Sequence, residues 1–302
     1  MMAAQNAMLR GTLRRDEPMA RHVSWRAGGP ARTFYVPADA NDLAHFLAAL
    51  PETEPLLFVG LGSNLLVRDG GWPGTIVALT GTLTEFAIDG ERVRAGAGLP
   101  CPQLARRTAR AGLAGLEFLC GVPGTVGGAL AMNAGALGSE TWEFVESVET
   151  IDRRGRRRTR TPGDFTIGYR SVEGPQGEWF LGATFRLQPG DADESLEIIR
   201  ANLARRGATQ PTQLPNAGSV FRNPPGDYAA RLIEACGLKG HCVGGACVSE
   251  KHANFIVNTG TATAGDIEAL IAQVQATVAR EQGVTLVREV RIVGEGGESH
   301  GH

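Results

Sequence analysis

The stretch from Gly121 to Gly138 combines glycine with small apolar residues, a composition that suits the binding of a phosphate group. Six of its eighteen residues are glycine, and most of the others are alanine, valine or leucine. Each glycine costs a helix or strand about 0.5–1 kcal/mol relative to alanine, so a regular element here would be weak. Backbone N–H groups that no side chain covers form a donor surface for phosphate or pyrophosphate. Close packing between two chain segments is the alternative explanation.

A second glycine turn, Gly60-Leu-Gly-Ser-Asn64, lies between two short apolar segments and exposes backbone donors in a similar way. It is not a dinucleotide-binding fingerprint, which would need G-x-G-x-x-G at the start of a helix. Nor is it a P-loop, which would need G-K-[ST]. Taken alone, Ser63 and Asn64 predict a capped turn and nothing more.

Ser219 and Glu289 are of the residue types that move protons. Ser219 follows a glycine, but the G-x-S-x-G pattern of a hydrolase nucleophile is absent, so by itself it predicts a structural serine. Glu289 lies in Val287-Arg-Glu-Val-Arg-Ile, where it either pairs with Arg291 at a solvent-facing edge or acts as an acid in half-apolar surroundings. The cysteines and histidines of residues 236–252 match no common zinc spacing, so no metal site is predicted.

The composition is that of a globular protein without a membrane span. The 302 residues are 42% hydrophobic and 21% charged, and the net charge of -2 gives no indication of nucleic-acid binding. No run of about 18 apolar residues predicts a transmembrane helix. The N-terminus also lacks the apolar core of a signal peptide. The five cysteines are odd in number and unpatterned, which predicts free thiols in a reducing cytoplasm.

Short strands and helices alternate without a repeated period, which predicts an α+β fold. The clearest helices begin at Asp39 and at a Thr263 capping box, the second of them ending at Gly283. A hairpin carries six arginines within residues 153–160, which predicts a solvated surface. Residues 286–293 predict a closing strand.

Seven separate motifs occur in one order along the chain. They are Gly60-Leu-Gly-Ser-Asn-Leu-Leu-Val67, Gly121-Val-Pro-Gly-Thr-Val-Gly-Gly128, Met132-Asn-Ala-Gly-Ala136, Tyr169-Arg170, Ala217-Gly-Ser-Val-Phe-Arg-Asn-Pro224, Gly237-Leu-Lys-Gly240 and Ser249-Glu-Lys-His-Ala-Asn-Phe255. Together they resemble the UDP-N-acetylenolpyruvoylglucosamine reductase family, also called the UDP-N-acetylmuramate dehydrogenases. The resemblance spans residues 22–294 and is specific, because separate signatures fall in both halves of the chain.

This resemblance implies a cytoplasmic flavoenzyme of peptidoglycan precursor synthesis. Family members bind FAD non-covalently in an α+β domain shared with the vanillyl-alcohol oxidase superfamily, and NADPH reduces the flavin. Hydride then passes to the enolpyruvyl ether of UDP-N-acetylglucosamine and gives UDP-N-acetylmuramate. A monomer that binds small molecules, with no nucleic-acid or membrane partner, is expected.

The matching positions imply roles for individual residues. Arg170 and Glu289 would stabilise an enolate-like intermediate, to which Ser219 would return a proton. FAD contacts are implied for Gly60, Leu61, Gly62, Ser63, Asn64, Leu65, Gly121, Val122, Pro123, Gly124, Thr125, Gly127, Gly128, Asn133, Ala134 and Gly135. Substrate contacts are implied for Tyr169, Arg222, Asn223, Lys239 and His252.

Three features distinguish this sequence within the family. No insertion that would carry a substrate-covering tyrosine loop lies between Arg170 and Ser219, which resembles the shorter subtype. Arg222 stands where lysine is common, and Leu137 stands where tyrosine is common. These differences bear on the substrate contacts and not on the reaction.

The predicted domain organisation follows from the resemblance and from a polar, proline-rich segment at residues 207–215, which is typical of a linker. It consists of an N-terminal arm (1–21), an FAD-binding domain (22–206, with subdomains of about 22–80 and 81–206), the linker, a C-terminal substrate domain (216–294) and a disordered tail (295–302).

Two rival functions remain open at this point. One is another FAD oxidoreductase of the same superfamily, which would oxidise an alcohol or hydroxy acid with oxygen and would not respond to NADPH. The other is a non-catalytic protein that binds a nucleotide without turnover.

Overall fold

The structure, a computed structural model, describes residues 9–297 and shows an α+β fold of short strands and mostly short helices. The strands are β1 (Thr12–Pro18), β2 (Pro30–Val36), β3 (Leu56–Val59), β4 (Leu65–Val67), β5 (Trp72–Ala78), β6 (Phe86–Asp89), β7 (Arg92–Gly96), β8 (Leu113–Ala114), β9 (Gly135–Ala136), β10 (Ser139–Glu140), β11 (Val145–Asp152), β12 (Arg157–Arg160), β13 (Thr166–Gly168), β14 (Ser171–Glu173), β15 (Glu178–Arg186), β16 (Gln188–Pro189), β17 (Cys242–Val243), β18 (Ala246–Val248), β19 (Ile256–Asn258) and β20 (Arg291–Val293).

The α-helices are α1 (Ala40–Ala49), α2 (Cys101–Arg110), α3 (Val126–Met132), α4 (Ala192–Thr209), α5 (Ala229–Ala235) and α6 (Ala264–Gln282). Short 3-10 turns lie at Met19–Arg21, Glu117–Gly121, Thr141–Phe144 and Pro162–Asp164. Across residues 9–297, every helix is too short or too polar to span a bilayer.

Two compact units are built from segments that alternate along the chain. The first contains residues 9–14, Phe34–Gly60 and Thr75–Ala204, and the second contains Arg15–Thr33, Leu61–Gly74 and residues 205–297. The sequence boundaries differ from these units, because residues 22–33 and 61–74 group with the C-terminal segment and not with the predicted FAD-binding domain. Helix α4 also extends to Thr209, into the predicted linker.

A five-stranded sheet with the order β12-β11-β15-β7-β6 organises the first unit. Helices α2 and α3 pack on it through a core that includes Leu104, Leu130 and Phe185. A second cluster joins Leu43 and Leu47 of α1 to the same unit. As predicted, the Asp39 carboxylate caps α1 by accepting hydrogen bonds from two backbone N–H groups of its first turn.

The six arginines of the β11–β12 hairpin are all bound within the first unit. Their partners are Pro51 and Glu54 for Arg153, Glu52 for Arg154, Asp152 for Arg156, Glu149 and Asn41 for Arg157, Asp152 and Glu178 for Arg158, and Glu178 for Arg160. Burial raises the pKa of Asp152, but hydrogen bonds from Arg156 and Arg158 outweigh it and lower that pKa to about 2. The predicted hairpin is confirmed, and its arginines tie neighbouring segments together.

Helix α6 and the parallel pair β4–β20 organise the second unit. The Thr263 capping box begins α6, five apolar residues on one stripe are buried, and Gly283 ends the helix at φ 67°, all as predicted. Arg68 makes a bidentate pair with Glu268 of α6 at 2.8 Å, and the Asp69 carboxylate accepts hydrogen bonds from the first turn of the same helix. These contacts explain why residues 61–74 belong to this unit.

The predictions for the two ends of the chain need correction. Residues 12–18, predicted as part of an N-terminal arm, form strand β1. Five of its seven side chains are exposed, so no apolar alternation marks it in the sequence. In the tail, which was predicted to be disordered, the Glu295 carbonyl accepts from Gly70 N–H and the Glu295 N–H donates to the Gly71 carbonyl. Glu295 is therefore ordered. Residues 1–8 and 298–302 lie outside the described part of the chain.

The closing segment 286–293 is not one strand, as predicted, because it changes partner. Arg288 bridges to Phe221 in antiparallel fashion, whereas residues 291–293 pair in parallel with β4. Glu289 therefore lies at the point where the partner changes and not in the middle of a strand.

The prediction of free thiols is wrong for two of the five cysteines. Cys242 and Cys247 lie directly opposite each other in the β17–β18 hairpin and form a disulfide. Cys101, Cys120 and Cys236 are not in disulfides. The four-residue spacing between the bonded pair gave no signal in the sequence, because only the turn at Gly244 brings the two strands into register.

Candidate active site

Residues 126–132 of the glycine-rich stretch form helix α3, although the glycine content of the stretch argued against a regular element. Part of that content is explained by packing. A Cβ at residue 127 would lie 2.9 Å from the Cβ of Ala97, and a Cβ at residue 60 would collide with the hydroxyl of Thr125. Packing against neighbouring residues therefore explains why positions 60 and 127 are glycine.

Packing does not explain Gly128 and Gly121. A Cβ at Gly128 would meet only the Thr125 hydroxyl, at 3.8 Å, and a Cβ at Gly121 would meet nothing within 4 Å. Gly128 is exposed and helical, in a setting where glycine costs about 1 kcal/mol relative to alanine. A glycine that neither packing nor a positive φ requires leaves its backbone open to a molecule outside the protein. The close-packing alternative fails at this position.

At least six backbone donors of the stretch are already used within the protein, those of Val122, Val126, Gly127, Ala129, Asn133 and Ala134. Val126 N–H donates to the carbonyl of Leu99 at 2.9 Å, and Gly127 N–H donates to the carbonyl of Ala97 at 2.8 Å. The expectation that uncovered N–H groups throughout the stretch face a phosphate is therefore wrong for these six. The backbone at Gly128 therefore offers space in which another molecule can approach closely, rather than a cluster of hydrogen-bond donors.

Arg170 lies at the turn of the β13–β14 hairpin. Its φ of 53° is left-handed, which costs energy in a non-glycine residue and is held by the surrounding contacts. Its guanidinium donates to the carbonyls of Asn133 at 3.2 Å and Gly135 at 2.6 Å, and it lies 5.1 Å from the ring centre of Tyr169. The structure thus brings four of the predicted site residues together in the first unit.

Ser219 and Glu289 lie on neighbouring backbone segments of the second unit. The N–H of Glu289 donates to the carbonyl of Val220, the residue after Ser219, at 2.8 Å. Asn64 Nδ2 donates to the carbonyl of Glu289 at 3.1 Å, and the Asn64 carbonyl accepts from Arg291 N–H at 3.0 Å. Asn64, predicted to contact FAD, therefore also fixes the backbone that carries Glu289.

Asn254 positions the segment after Ser219 and was given no role by the sequence. Its carbonyl accepts from Val220 N–H at 2.9 Å, while its side chain accepts from Phe221 N–H at 3.0 Å and donates to Phe221 O at 2.8 Å. The side chain is buried, and these bonds satisfy both ends of its amide. The one sequence feature that could have indicated this role is that Asn254 is the single polar residue in the otherwise apolar run 253–257.

Lys239 and His252, both predicted substrate contacts, lie in the second unit. Lys239 Nζ pairs with Glu234 at 2.7 Å. His252 is half-buried and lies edge-on to Phe255, with 4.7 Å between ring centres. Burial, helped by the charge of Lys239, holds the pKa of His252 below its usual 6.5. His252 is therefore a neutral hydrogen-bonding group at neutral pH.

Asn223 and Arg222 follow Phe221 in the same segment. The Asn223 side-chain oxygen accepts from Ala229 N–H at 3.1 Å, so it caps the start of α5. Arg222 N–H donates to the carbonyl of Val287 at 2.9 Å. The backbone of both residues is thereby tied to secondary structure.

The remaining residues assigned to FAD occupy several kinds of position. In the glycine turn, Leu61 is exposed, the Gly62 carbonyl accepts from Ser24 N–H at a residue with φ 60°, Ser63 is half-buried and Leu65 begins β4. In the second segment, Val122 and Pro123 follow a 3-10 turn, and the Gly124 carbonyl accepts from Cys101 N–H. Thr125 is buried beside Gly60, and the Ala134 carbonyl accepts from Thr141.

Comparison with known proteins identifies the family. One sequence profile, the FAD binding domain, matches residues 31–160, and another, the UDP-N-acetylenolpyruvoylglucosamine reductase C-terminal domain, matches residues 210–293. The UDP-N-acetylenolpyruvoylglucosamine reductase of Alkalilimnicola ehrlichii is 59% identical over 295 residues, which cover 98% of this chain and 99% of that protein. The chain belongs to the UDP-N-acetylenolpyruvoylglucosamine reductase family.

Other members of the reductase family agree with this result. The protein of that name from Methylococcus capsulatus is 59% identical over 287 residues, covering 95% of this chain and 94% of that protein. The crystal structure of the Thermus caldophilus reductase superimposes with a TM-score of 0.81 at 33% identity, covering 94% of this chain and 99% of that one. The predicted family, α+β fold and FAD-binding domain are confirmed.

The residues at α3 fit the FAD that the match to an FAD binding domain implies. The space beside Gly128 and Gly121 is not filled by any side chain of residues 9–297, and both glycines lie inside the FAD-domain match. The identity of the individual contact residues stays a prediction.

A pair of glycine substitutions separates the cofactor from packing. Gly128→Val should lower FAD retention strongly without lowering the thermal stability of the apoprotein, because its side chain enters open space. Gly127→Val is the matched control and should destabilise the apoprotein, because its side chain enters Ala97. Flavin absorbance after gel filtration and apoprotein melting measure the two effects. Equal losses of retention and stability in Gly128→Val would contradict the assignment.

Proposed function

We propose that this chain reduces UDP-N-acetylglucosamine enolpyruvate to UDP-N-acetylmuramate, a peptidoglycan precursor, with NADPH as reductant. The observation that carries the proposal is 59% identity over 98% of the chain to a reductase of that name. The open glycine backbone at Gly128 supports the FAD part of it independently. We also propose that the protein acts as a monomer in the cytoplasm and belongs to the shorter subtype.

The group the reaction needs is FAD, which when bound accepts hydride from NADPH and delivers it to the enolpyruvyl double bond. The glycine turn 60–65 and residues 121–135 are the segments assigned to hold it. The Asn64 side chain adds a second task, because its bond to the backbone of Glu289 couples the predicted FAD turn to a predicted catalytic residue.

Arg170 is assigned to the carboxylate of the enolpyruvyl group. Negative charge grows on that carboxylate when hydride reaches the neighbouring double bond, and a guanidinium pairs with a carboxylate in bidentate fashion. Arg170 is only partly exposed, and two carbonyls already fix its direction. A cation held in place before the charge develops stabilises it without reorganisation.

Glu289 is assigned as a neutral acid that donates a hydrogen bond to the same developing charge. A protonated carboxylic acid can do so when its surroundings disfavour ionisation. Glu289 is half-buried, and its backbone is held by bonds from its N–H and to its carbonyl.

Ser219 is assigned to return the proton to carbon. A serine hydroxyl is a weak acid, but it suffices when the acceptor is a strongly basic carbanion. Gly218, at φ 74°, and the Asn254 clamp fix the backbone on either side of Ser219. A fixed donor places the proton on one face of the substrate carbon.

The test is the response of purified, FAD-reconstituted protein to NADPH without oxygen. The proposal predicts a flavin absorbance that NADPH bleaches completely. Flavin that stays oxidised with excess NADPH would favour an oxidase of another specificity, and a protein that retains no flavin would contradict the proposal outright.

A further inference from the structure

Asn133 ends helix α3 in a left-handed conformation, with φ 42°, and its side chain is fully engaged within the first unit. It is 2% exposed. Its Nδ2 donates to Glu140 at 2.7 Å and to the carbonyl of Gly168 at 3.1 Å, and its Oδ1 accepts from Trp142 N–H at 3.1 Å. Gly168 lies two residues before Arg170 in the same hairpin. The Asn133 amide therefore connects the end of α3 to the turn that carries Arg170.

Glu140 faces Arg170 across the same turn. Its carboxylate lies 3.9 Å from Arg170 Nη1, accepts the Asn133 amide proton, and caps the 3-10 turn Thr141–Phe144 reciprocally with Glu143. The β9–β10 pairing places Glu140 opposite Gly135. Gly135 is itself one of the two residues whose carbonyls hold Arg170.

The turn is closed around the guanidinium. A Cβ at Gly135 would lie 2.5 Å from the carbonyl oxygen of Ser139, 2.9 Å from Glu140 Cγ and 3.0 Å from Arg170 Nη1, so a larger residue would force these neighbours to move. The carbonyls of Asn133 and Gly135, the carboxylate of Glu140 and the backbone of Gly168 thus belong to one hydrogen-bonded unit.

We propose that Glu140 and Asn133 are positioning residues for Arg170, which set where its guanidinium meets the substrate carboxylate. This inference rests on the role proposed for Arg170 above. Asn133, assigned to FAD from the sequence, acts in this account through Arg170 with its side chain. Glu140 had no assigned role.

The chemistry requires a carboxylate at position 140 and not merely a polar side chain. Both of its oxygens face donors: Asn133 Nδ2, the N–H of Glu143 and the Arg170 guanidinium. A glutamine would have to turn its own NH₂ group towards one of these donors, which removes an acceptor and the attraction for the cation. Displacement of a catalytic group by about 1 Å can cost about 10²-fold in rate.

Glu140→Gln should therefore slow reoxidation of the reduced enzyme by the enolpyruvyl substrate about 10- to 100-fold. Reduction by NADPH and FAD retention should stay within about twofold of wild type, because Arg170 is needed only when charge develops on the substrate. Anaerobic stopped-flow absorbance follows each half-reaction separately. Glu143→Gln is the matched control, since it removes a carboxylate from the same 3-10 turn on the side that accepts Glu140 N–H. It should leave both half-reactions within about twofold.

The effect of Glu140→Gln with and without Arg170 distinguishes a positioning role from a general structural role. In an Arg170→Ala background, Glu140→Gln should have no further effect on reoxidation, because the group through which it acts is gone. Asn133→Gly keeps the left-handed backbone and removes the amide, so it should slow reoxidation by the substrate as Glu140→Gln does. An undiminished effect of Glu140→Gln without Arg170 would overturn the proposal, as would loss of FAD in both the Glu140 and Asn133 variants.

The failure of this inference can be told from failure of the proposed function. If Arg170→Ala is slow and Glu140→Gln is normal, the positioning role is wrong and the role of Arg170 stands. If Arg170→Ala itself reoxidises at the wild-type rate, both are wrong.

Discussion

Ser219→Ala should leave the flavin bound and reduced by NADPH at close to the wild-type rate, while its reoxidation by the enolpyruvyl substrate collapses. Protonation of carbon occurs only in the second half-reaction, so only that half needs the hydroxyl. The loss should exceed the roughly 10²–10⁴-fold that is usual for one acid-base group, provided that no water replaces the hydroxyl. Rapid mixing under anaerobic conditions measures each half directly.

Two further variants sharpen this result. Ser219→Cys should recover part of the reoxidation rate, because a thiol can also donate a proton. Ser195→Ala removes a hydroxyl that hydrogen-bonds Glu117 at 2.7 Å inside the first unit, and it should affect both half-reactions alike. Slower NADPH reduction in Ser219→Ala, with substrate reoxidation untouched, would show that Ser219 is not the donor.

Glu289→Ala should lower the rate of substrate reduction by about 10²–10³-fold, the usual effect of removing one donor to a developing oxyanion. Glu289→Gln should keep more activity, since its amide still donates a hydrogen bond. The bonds to Val220 and Asn64 use the backbone of residue 289, so neither substitution removes them. Steady-state and reoxidation rates measure the difference.

The order of the two Glu289 variants is the informative quantity. A Gln variant as slow as the Ala variant would mean that the carboxyl group acts by charge or by proton transfer and not as a hydrogen-bond donor. Wild-type rates in both would place Glu289 in a purely structural position.

Local patterns predicted the elements that depend on local interactions. The apolar stripe and capping box of α6, the Asp39 cap and the arginine hairpin are all present, because neighbouring residues determine them. Strand β1 was missed because its side chains are mostly exposed. The disulfide was missed because it depends on the register of the β17–β18 hairpin.

Long-range pairing explains what the sequence could not predict. Residues 61–74 join the C-terminal segment because β4 pairs with β20, more than 200 positions along the chain, and because Arg68 binds Glu268. By residue pattern alone Ser219 and Glu289 were separate candidates, and the backbone bonds that join residues 220–222 to residues 287–290 show that their segments are neighbours. Glu140 carries no motif signal of its own, since its role depends on a turn that closes around Arg170.

A single anaerobic turnover shows whether this chain reduces the enolpyruvyl ether. The protein is reduced with one equivalent of NADPH, UDP-N-acetylglucosamine enolpyruvate is added, and flavin absorbance is followed while the product is measured by mass spectrometry. We expect the flavin to reoxidise fully with one UDP-N-acetylmuramate formed per flavin. A flavin that stays reduced until oxygen is admitted, with the enolpyruvyl ether unchanged, would contradict the assignment of this chain as an enolpyruvyl reductase.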